Sequence, residues 1–442
     1  MHRTAVIGGG ISGLAAAMRI SELRHEVVLL EGEERLGGLG GWFRWRGVDL
    51  ERFYHCILPG DRALLDFIAE LGLKDELLWR RARMGFMYQG RLHALDTPLD
   101  LLRFTPLSVL DRVRMGLLGI RARRHGLDPA LDAIAVGDWL RDQVGERAFR
   151  VVWQPLLQAK IGDGYREIPA LWLSSRMSRE KNTGPEVKGC LLRGYRSLID
   201  AFEGRLRERG AEIRLGARVV AVEDDGDQLV LRLADGPTEP FDTVVSTLPL
   251  VHLQRATARL GLDPRVADLR LDYQGVVTGV FLLEQPLSPY YWMPIVDSGA
   301  TAQGVIEMSN LVPLERTLGL HVIYLVNYTH RDSPLYRTSD DDLLARYTAD
   351  LAALFPRAAT SVVDRYVFRA PFVEPLWSLH YGRRRPPATL VPRRLYMACT
   401  AQVYPRVNSW NSCCEVVEEM VTALSAEVRA VSAAGGVRAG AA

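Results

Sequence analysis

The chain has 442 residues, with 55 Lys+Arg against 53 Asp+Glu for a net charge of +2 and a hydrophobic fraction of 48%. That length calls for two or more lobes, and the composition excludes a small binding module, extended disorder, collagen-like repeats and a coiled-coil rod. The nearly balanced charge gives no general field for nucleic acid, so no nucleic-acid partner is expected.

Arg3 to Ile7 reads as a buried strand, which leaves no room for a secretory signal, and no apolar run is long enough to span a membrane. Five cysteines, odd in number and without a C-x-x-C pair, fit a reducing compartment. A soluble cytoplasmic protein is expected. Gly8-Gly9-Gly10-Ile11-Ser12-Gly13 follows the strand, then a helical stretch from Leu14 to Leu23 and a strand from Glu26 to Leu30 closing on Glu31. This is a right-handed βαβ unit. Gly8 permits the tight turn, Gly10 lets the backbone approach a pyrophosphate, and Gly13 permits close packing of helix on strand. The phosphate would sit at the helix N-terminus beside Ser12, and Glu31 is placed to accept from ribose hydroxyls. Arg35-Leu36-Gly37-Gly38 opens a second glycine-rich loop headed by a cation.

Further along, His55 in Glu51-Arg52-Phe53-Tyr54-His55-Cys56 is a candidate general acid or base, with a packing histidine as the alternative. Residues 75–190 read as mainly helical. Within them Val109, Leu110, Val113, Leu117 and Ile120 share one helical arc in a segment that also holds Arg112, Arg114, Arg121, Arg123 and Arg124. Such an arc is expected to pack into the protein; the alternative is a peripheral contact of 108–125 with an anionic membrane. Lys160 is notable among only four lysines and is either catalytic or an exposed helical residue. A helix through Leu198 and Leu206 is followed by a three-stranded meander, Glu212–Leu215, Arg218–Glu223 and Gln228–Leu233, and then a buried strand from Phe241 to Thr247. Strand-like runs between Val276 and Phe372, with one helix from Asp341 to Leu354, imply a separate sheet. Asn408 to Ser412 caps a C-terminal helix through Val416 and Leu424, and the Ala- and Gly-rich residues 427–442 read as a flexible tail. Cys413 and Cys414 fall in the first turn of that helix and read as small packing residues, the alternative being a redox pair with a thiol pKa lowered by the helix start. No metal-ligand spacing and no G-x-S-x-G elbow are present, so metal hydrolysis and acyl transfer are set aside.

The glycine motif, Glu31 and the Arg35-Leu36-Gly37-Gly38 run resemble the FAD-dependent superfamily of amine oxidases, protoporphyrinogen oxidases and phytoene-type desaturases, and more distantly UDP-galactopyranose mutases. Leu192–Ile199, Gly216–Val222, Asp242–Pro249 and Arg394–Ala398 resemble its other FAD-lobe segments. The resemblance implies a Rossmann-like α/β FAD lobe from 1–75, 190–255 and 390–425. It also implies a discontinuous α+β substrate lobe, with a mixed or antiparallel sheet, from 76–189 and 256–389. It implies FAD held by Gly8, Gly10, Ser12, Gly13, Glu31, Arg35, Gly37, Gly38, Val219, Gln402, Asn411 and Ser412. Val219 would lie beside the adenine, and Asn411 and Ser412 would stand at the helix end facing the flavin. Where amine-oxidising relatives read Ala-Gly-Thr-Glu, this chain reads Cys399-Thr400-Ala401-Gln402, and no cysteine lies near 369, so the FAD is expected to be noncovalent. The implied activity is hydride transfer from a C–H or C–N bond of a small, partly apolar molecule to FAD, with His55 and Lys160 as catalytic candidates and His380, Tyr381 and Tyr404 behind them. Two alternatives stand beside it. One is a mutase-like non-redox flavoenzyme in which Arg176, Arg179 and Arg193 clamp a nucleotide sugar; the other is a non-catalytic FAD-binding subunit. Oligomeric state is left open.

Overall fold

A computed structural model describes residues 2–179 and 186–439, with side chains described except at 123, 125 and 428–439. Arg3–Ile7 lies at the centre of a six-stranded sheet between Glu26–Leu30 and Thr243–Ser246, parallel to both, with Val6 opposite Leu29 and Val245. Glu212–Arg214 and Leu395–Met397 extend the sheet in parallel on either side, and Thr389–Val391 closes one edge in the antiparallel sense. The Ala-Val-Ile and Val-Val-Leu-Leu runs are apolar on both faces because both faces are covered. Alternation decides which residue meets which layer. Val6, Leu29 and Val245 join a core with the helices Ile11–Glu22, Tyr195–Glu208 and Trp410–Ala439. Ala5, Ile7, Val28 and Leu30 pack instead against a three-stranded antiparallel sheet of Val219–Asp224, Leu229–Leu233 and Thr238–Phe241.

A second sheet of seven strands runs in the order Val362–Leu376, Asp272–Leu283, His321–Thr329, Gly304–Glu307, Trp292–Val296, Gly85–Tyr88 and Arg91–Ala94. Its pairings are antiparallel except between Trp292–Val296 and Gly85–Tyr88. The expected α/β class with a second, mixed sheet is therefore what the chain adopts.

Several local expectations are corrected. Residues 77–94 form three strands, where a mainly helical stretch was expected, because Leu77–Ala82 pairs with Glu186–Leu191 and Gly85–Tyr88 with Trp292–Val296, partners far away in sequence. Glu212–Arg214 joins the parallel sheet, and the third strand of the meander is Thr238–Phe241. The backbone of 427–439 is helical. Alanine favours helix without any amphipathic signal, and Glu427 anchors the start of this stretch by accepting from Thr389 Oγ1 at 2.9 Å, the Arg393 amide at 2.6 Å and Tyr396 Oη at 2.8 Å. Residues 440–442 lie outside the described set. The helix Val109–His125 forms as expected, capped by Ser108 and Asp111, but its expected buried arc points outward: Val109 is 70% exposed and Leu110 59%.

Candidate active site

The glycine turn sits where the central strand ends. Gly8 takes a φ of +106° and its amide donates to Leu30 O at 2.8 Å, which ties the turn to the neighbouring strand. A Cβ on Gly13 would lie 1.7 Å from Gly8 O, so only glycine lets the helix approach this closely. Leu14 N–H closes the first helical bond on Gly10 O at 2.9 Å. The amides of Ile11, Ser12 and Gly13 therefore precede the hydrogen-bonded helix and stand at its positive end.

The second loop forms the opposite wall. Gly37 N–H donates to Gly9 O at 2.8 Å, and Gly37 and Gly38 have φ values of +117° and +53°. A Cβ on Gly38 would come within 3.3 Å of Gly10 Cα, while at Gly10 the nearest atom to a Cβ would be Gly38 Cα at 4.0 Å. The two glycines thus meet in van der Waals contact and close one wall of a slot that opens beside the helix N-terminus, where bare backbone and the first-turn amides fit a dinucleotide pyrophosphate. Glu31 accepts from the Gly9 amide at 2.6 Å and the Glu33 amide at 2.7 Å, which fixes its carboxylate at the end of the second strand. Ala217 N–H donates to Glu31 O at 2.8 Å, bringing Val219, half-buried at the start of its strand, to the same side. Arg35 is exposed and has no ion-pair partner among the described residues.

The slot continues along the second loop. Gly40 is pressed against the Trp410 indole, at 2.3 Å from a would-be Cβ, and the His55 ring packs on both Trp410 at 5.2 Å and Tyr195 at 5.3 Å, which meet each other at 4.8 Å. His55 Nδ1 lies 3.0 Å from Phe53 O, so it carries the proton and donates, leaving Nε2 as an acceptor. Burial pushes the His55 pKa below the ordinary histidine value. At the start of the C-terminal helix, Asn411 is engaged structurally: its Oδ1 accepts from Leu64 N–H at 3.1 Å and its Nδ2 donates to Glu415 at 2.8 Å. Ser412 is buried, its amide donating to the capping hydroxyl of Ser409 at 3.2 Å. Gln402 is 2% exposed and accepts from Cys399 N–H at 2.9 Å, so its side chain closes its own turn.

Beyond His55 lies a polar cluster that the sequence foretold only in part. Tyr54 Oη and Tyr328 Oη are 2.6 Å apart; Lys160 Nζ stands 3.6 Å from the centroid of the Tyr328 ring and 3.1 Å from Glu374 Oε2. Burial lifts the Tyr54 hydroxyl well above its usual pKa and pushes Tyr328 up to about 12, so both keep their protons at neutral pH. Lys160 is thus neither a free surface lysine nor isolated, its side chain being 20% exposed against 6% for Glu374. Asn408 Nδ2 donates to Val373 O at 2.5 Å, joining the end of this strand to the residues before Trp410. Glu374 and Tyr328 went unnoticed in the sequence, because each lies in an ordinary strand pattern and acquires its partners only through the sheet. Tyr195 and Tyr291 also stand nearby with buried hydroxyls, that of Tyr291 against the Cys56 thiol and that of Tyr195 without a hydrogen-bond partner among the described residues.

Other candidates have structural roles. Tyr381 Oη donates to Ala401 O at 2.9 Å, Tyr404 Oη donates to Asp132, and His380 is exposed at a helix cap. Arg179 is paired with Asp61 and Arg193 with Glu76, so neither offers a free fork for a diphosphate. The first-turn thiols are the reverse of reactive: burial pushes Cys413 up to about 11 and Cys414 well above its usual value. Among the described residues no group of three metal-ligating side chains occurs.

Three comparisons bear on this site. The L-tryptophan oxidase RebO of Lentzea aerocolonigenes is 26% identical over 366 residues, covering 75% of each chain. A protoporphyrinogen oxidase of Macaca fascicularis is 44% identical over 333 residues, covering 62% of this chain and 68% of its own. The fold is shared with reduced UDP-galactopyranose mutase at a TM-score of 0.75 and 17% identity, covering 97% of this chain and 98% of that one. A family model described as flavin containing amine oxidoreductase matches residues 11–396, and with the glycine slot in place the chain belongs to that family of FAD-dependent oxidoreductases.

Proposed function

We propose that this FAD-dependent oxidoreductase oxidises a C–H or C–N bond of a small, partly apolar substrate lying against the Tyr54–Tyr328 wall, with His55 and Lys160 facing it. When bound, FAD supplies the two-electron acceptor. The observation that carries this reading is the cluster of Tyr54, Tyr328, Lys160 and Glu374, which combines an aromatic wall with one ion pair beside the loop leading to Trp410. The tyrosines offer an aromatic wall to an apolar substrate, and because one hydroxyl donates to the other, the pair keeps one hydrogen-bond donor for it. Lys160 is paired with Glu374 at 3.1 Å, so the two present a fixed, net-neutral ion pair that can orient a polar group of the substrate. The tryptophan and protoporphyrinogen in the names of the two relatives carry indole and pyrrole rings, which agrees with such a wall. His55 Nε2 is the open acceptor for the proton that leaves when an N–H or O–H substrate loses its hydride.

The glycine slot and family membership support noncovalent FAD held by Gly8, Gly10, Ser12, Gly13, Glu31, Arg35, Gly37, Gly38 and Val219, with Gln402, Asn411 and Ser412 contributing through the backbone they fix. Five free cysteines, four of them buried, support a reducing, cytoplasmic setting. Alkylation of all five in unfolded protein from fresh lysate, with no disulfide recovered, is the expected result. The decisive experiment for the reaction is anaerobic mixing with candidate aromatic acids and amines, following the flavin band at about 450 nm. Stoichiometric bleaching supports the reading. Turnover of a UDP-sugar by dithionite-reduced enzyme, with no net flavin oxidation, replaces it with the mutase chemistry, and neither response across the panel leaves the non-catalytic subunit.

A further inference from the structure

The helix Val109–His125 is apolar on two opposite sides. Leu118 and Ala122 are buried at 0% and 2% exposure and hold it to the protein. Val109, Leu110, Val113, Leu117 and Ile120 point the other way, 42% to 70% exposed, and at about 100° per residue they occupy roughly 100° of the helix circumference. The arc has company: Leu99 and Leu102, on the preceding helix Pro98–Arg103, are 52% and 55% exposed, and Leu127 just beyond the helix is 65% exposed. Core packing accounts for none of these side chains, and a contiguous exposed apolar patch of this kind marks an interaction surface.

Charge selects the partner. Arg103, Arg114, Arg121 and Arg124 are exposed on the same two helices, and the helix Val109–His125 carries a single acid, Asp111, which is 6% exposed and occupied in capping with Ser108. An apolar arc bordered by arginines, with no exposed carboxylate on its helix, is complementary to a lipid surface with anionic headgroups: acyl chains take the leucines while the guanidinium groups reach phosphate. A second copy of the same face would set arginines against arginines. Among the described residues no helix is long and apolar enough to cross a membrane, so the contact is one of lying on the surface. An open cleft of about 440 Å³ adjoins this region, and its lining residue Arg147 donates to Pro106 O just before the helix.

We propose that residues 99–127 form a docking surface by which the FAD-loaded enzyme adsorbs peripherally to bilayers containing anionic phospholipid. The test is flotation of the holoenzyme with vesicles of phosphatidylcholine alone and with phosphatidylglycerol added, at low and high salt. Expected is at least ~10-fold stronger partition to the anionic vesicles, falling as salt rises. Leu110→Ser/Leu117→Ser and Arg121→Glu/Arg124→Glu should each reduce partition by about 10-fold while bound flavin and melting temperature stay at wild-type values. All four side chains are exposed, so folding is not at risk. Equal binding to neutral and anionic vesicles, wild-type binding by both variants, or a concentration-dependent dimer abolished by Leu110→Ser/Leu117→Ser would each overturn the proposal.

Discussion

Gly13→Ala and Gly10→Ala separate the two tasks of the glycine turn. At Gly13 the new methyl would lie 1.7 Å from Gly8 O and 2.8 Å from Gly8 C, both backbone atoms. Gly8 cannot simply yield, since its amide is bonded to Leu30 O at 2.8 Å and Thr247 Oγ1 donates to the adjoining Ile7 O at 2.8 Å. Restoring ordinary contact means parting helix from strand by more than 1 Å. Overpacking costs about 1–3 kcal/mol or more and a strained backbone hydrogen bond about 1 kcal/mol, offset by about 1 kcal/mol of better helix propensity. At the upper end of that overpacking range the net is a destabilisation of about 3 kcal/mol, which for a chain of 442 residues lowers the melting temperature of the apoprotein by roughly 3 °C. Gly10→Ala is different. Its φ of −75° and ψ of −176° suit alanine and the nearest atom is 4.0 Å away, so the apoprotein should melt within about 1 °C of wild type. The methyl instead projects into the slot facing Gly38, where it holds a phosphate off the first-turn amides. Losing one such charge-assisted bond, at about 1.5–3 kcal/mol, weakens FAD by about 10- to 100-fold. Apoprotein melting and FAD titration by flavin fluorescence measure the two effects independently. A Gly13→Ala apoprotein that melts like wild type refutes the steric argument, and a Gly10→Ala protein that keeps full FAD affinity refutes the position of the pyrophosphate.

Lys160→Met should cost about 2–3 kcal/mol, the low end for breaking a buried pair because Lys160 is itself 20% exposed, and Lys160→Met/Glu374→Gln should recover at least half of it. Denaturant melts of the single and double variants measure this coupling, and additive losses would remove the pair from the account. Desolvation raises the Glu307 carboxyl from 4.5 to about 7 even though it accepts from the Leu287 and Ser288 amides. The folded state therefore holds a proton that the unfolded state releases, so this group's contribution to stability is complete below 4.5 and is lost as pH rises through 7. The loss amounts to at most about 3 kcal/mol, so Glu307→Gln should flatten the fall in stability between those pH values, and parallel curves for the two proteins would show that Glu307 does not titrate there.

Local chemistry was enough for the cofactor end of the molecule. A strand, three spaced glycines, a helix and an acidic strand end fall within about 30 residues, and the constraints they express are themselves local: positive φ at Gly8, contact with Gly8 O at Gly13, a carboxylate at Glu31 on the end of the adjacent strand. His55 and Lys160 were also visible, as a titratable ring in a distinctive loop and as a rare lysine, but their surroundings were not. Glu374 meets Lys160, and Tyr328 meets Tyr54, only after strands from 321–329 and 362–376 have paired on either side of Asp272–Leu283, and no local pattern encodes that register. Leu77–Ala82 and Gly85–Tyr88 became strands for the same reason, since they pair with Glu186–Leu191 and Trp292–Val296 more than 100 residues away, and Arg91–Ala94 follows as a hairpin on Gly85–Tyr88. The sharpest case is the helix 109–125. Its periodicity established that it is a helix with an apolar arc, yet Leu118 and Ala122 supply a second, smaller apolar side, and which of the two turns inward depends on the volume left by the neighbouring helices. Periodicity specifies that a face is apolar; only the assembled packing decides whether protein or solvent meets it.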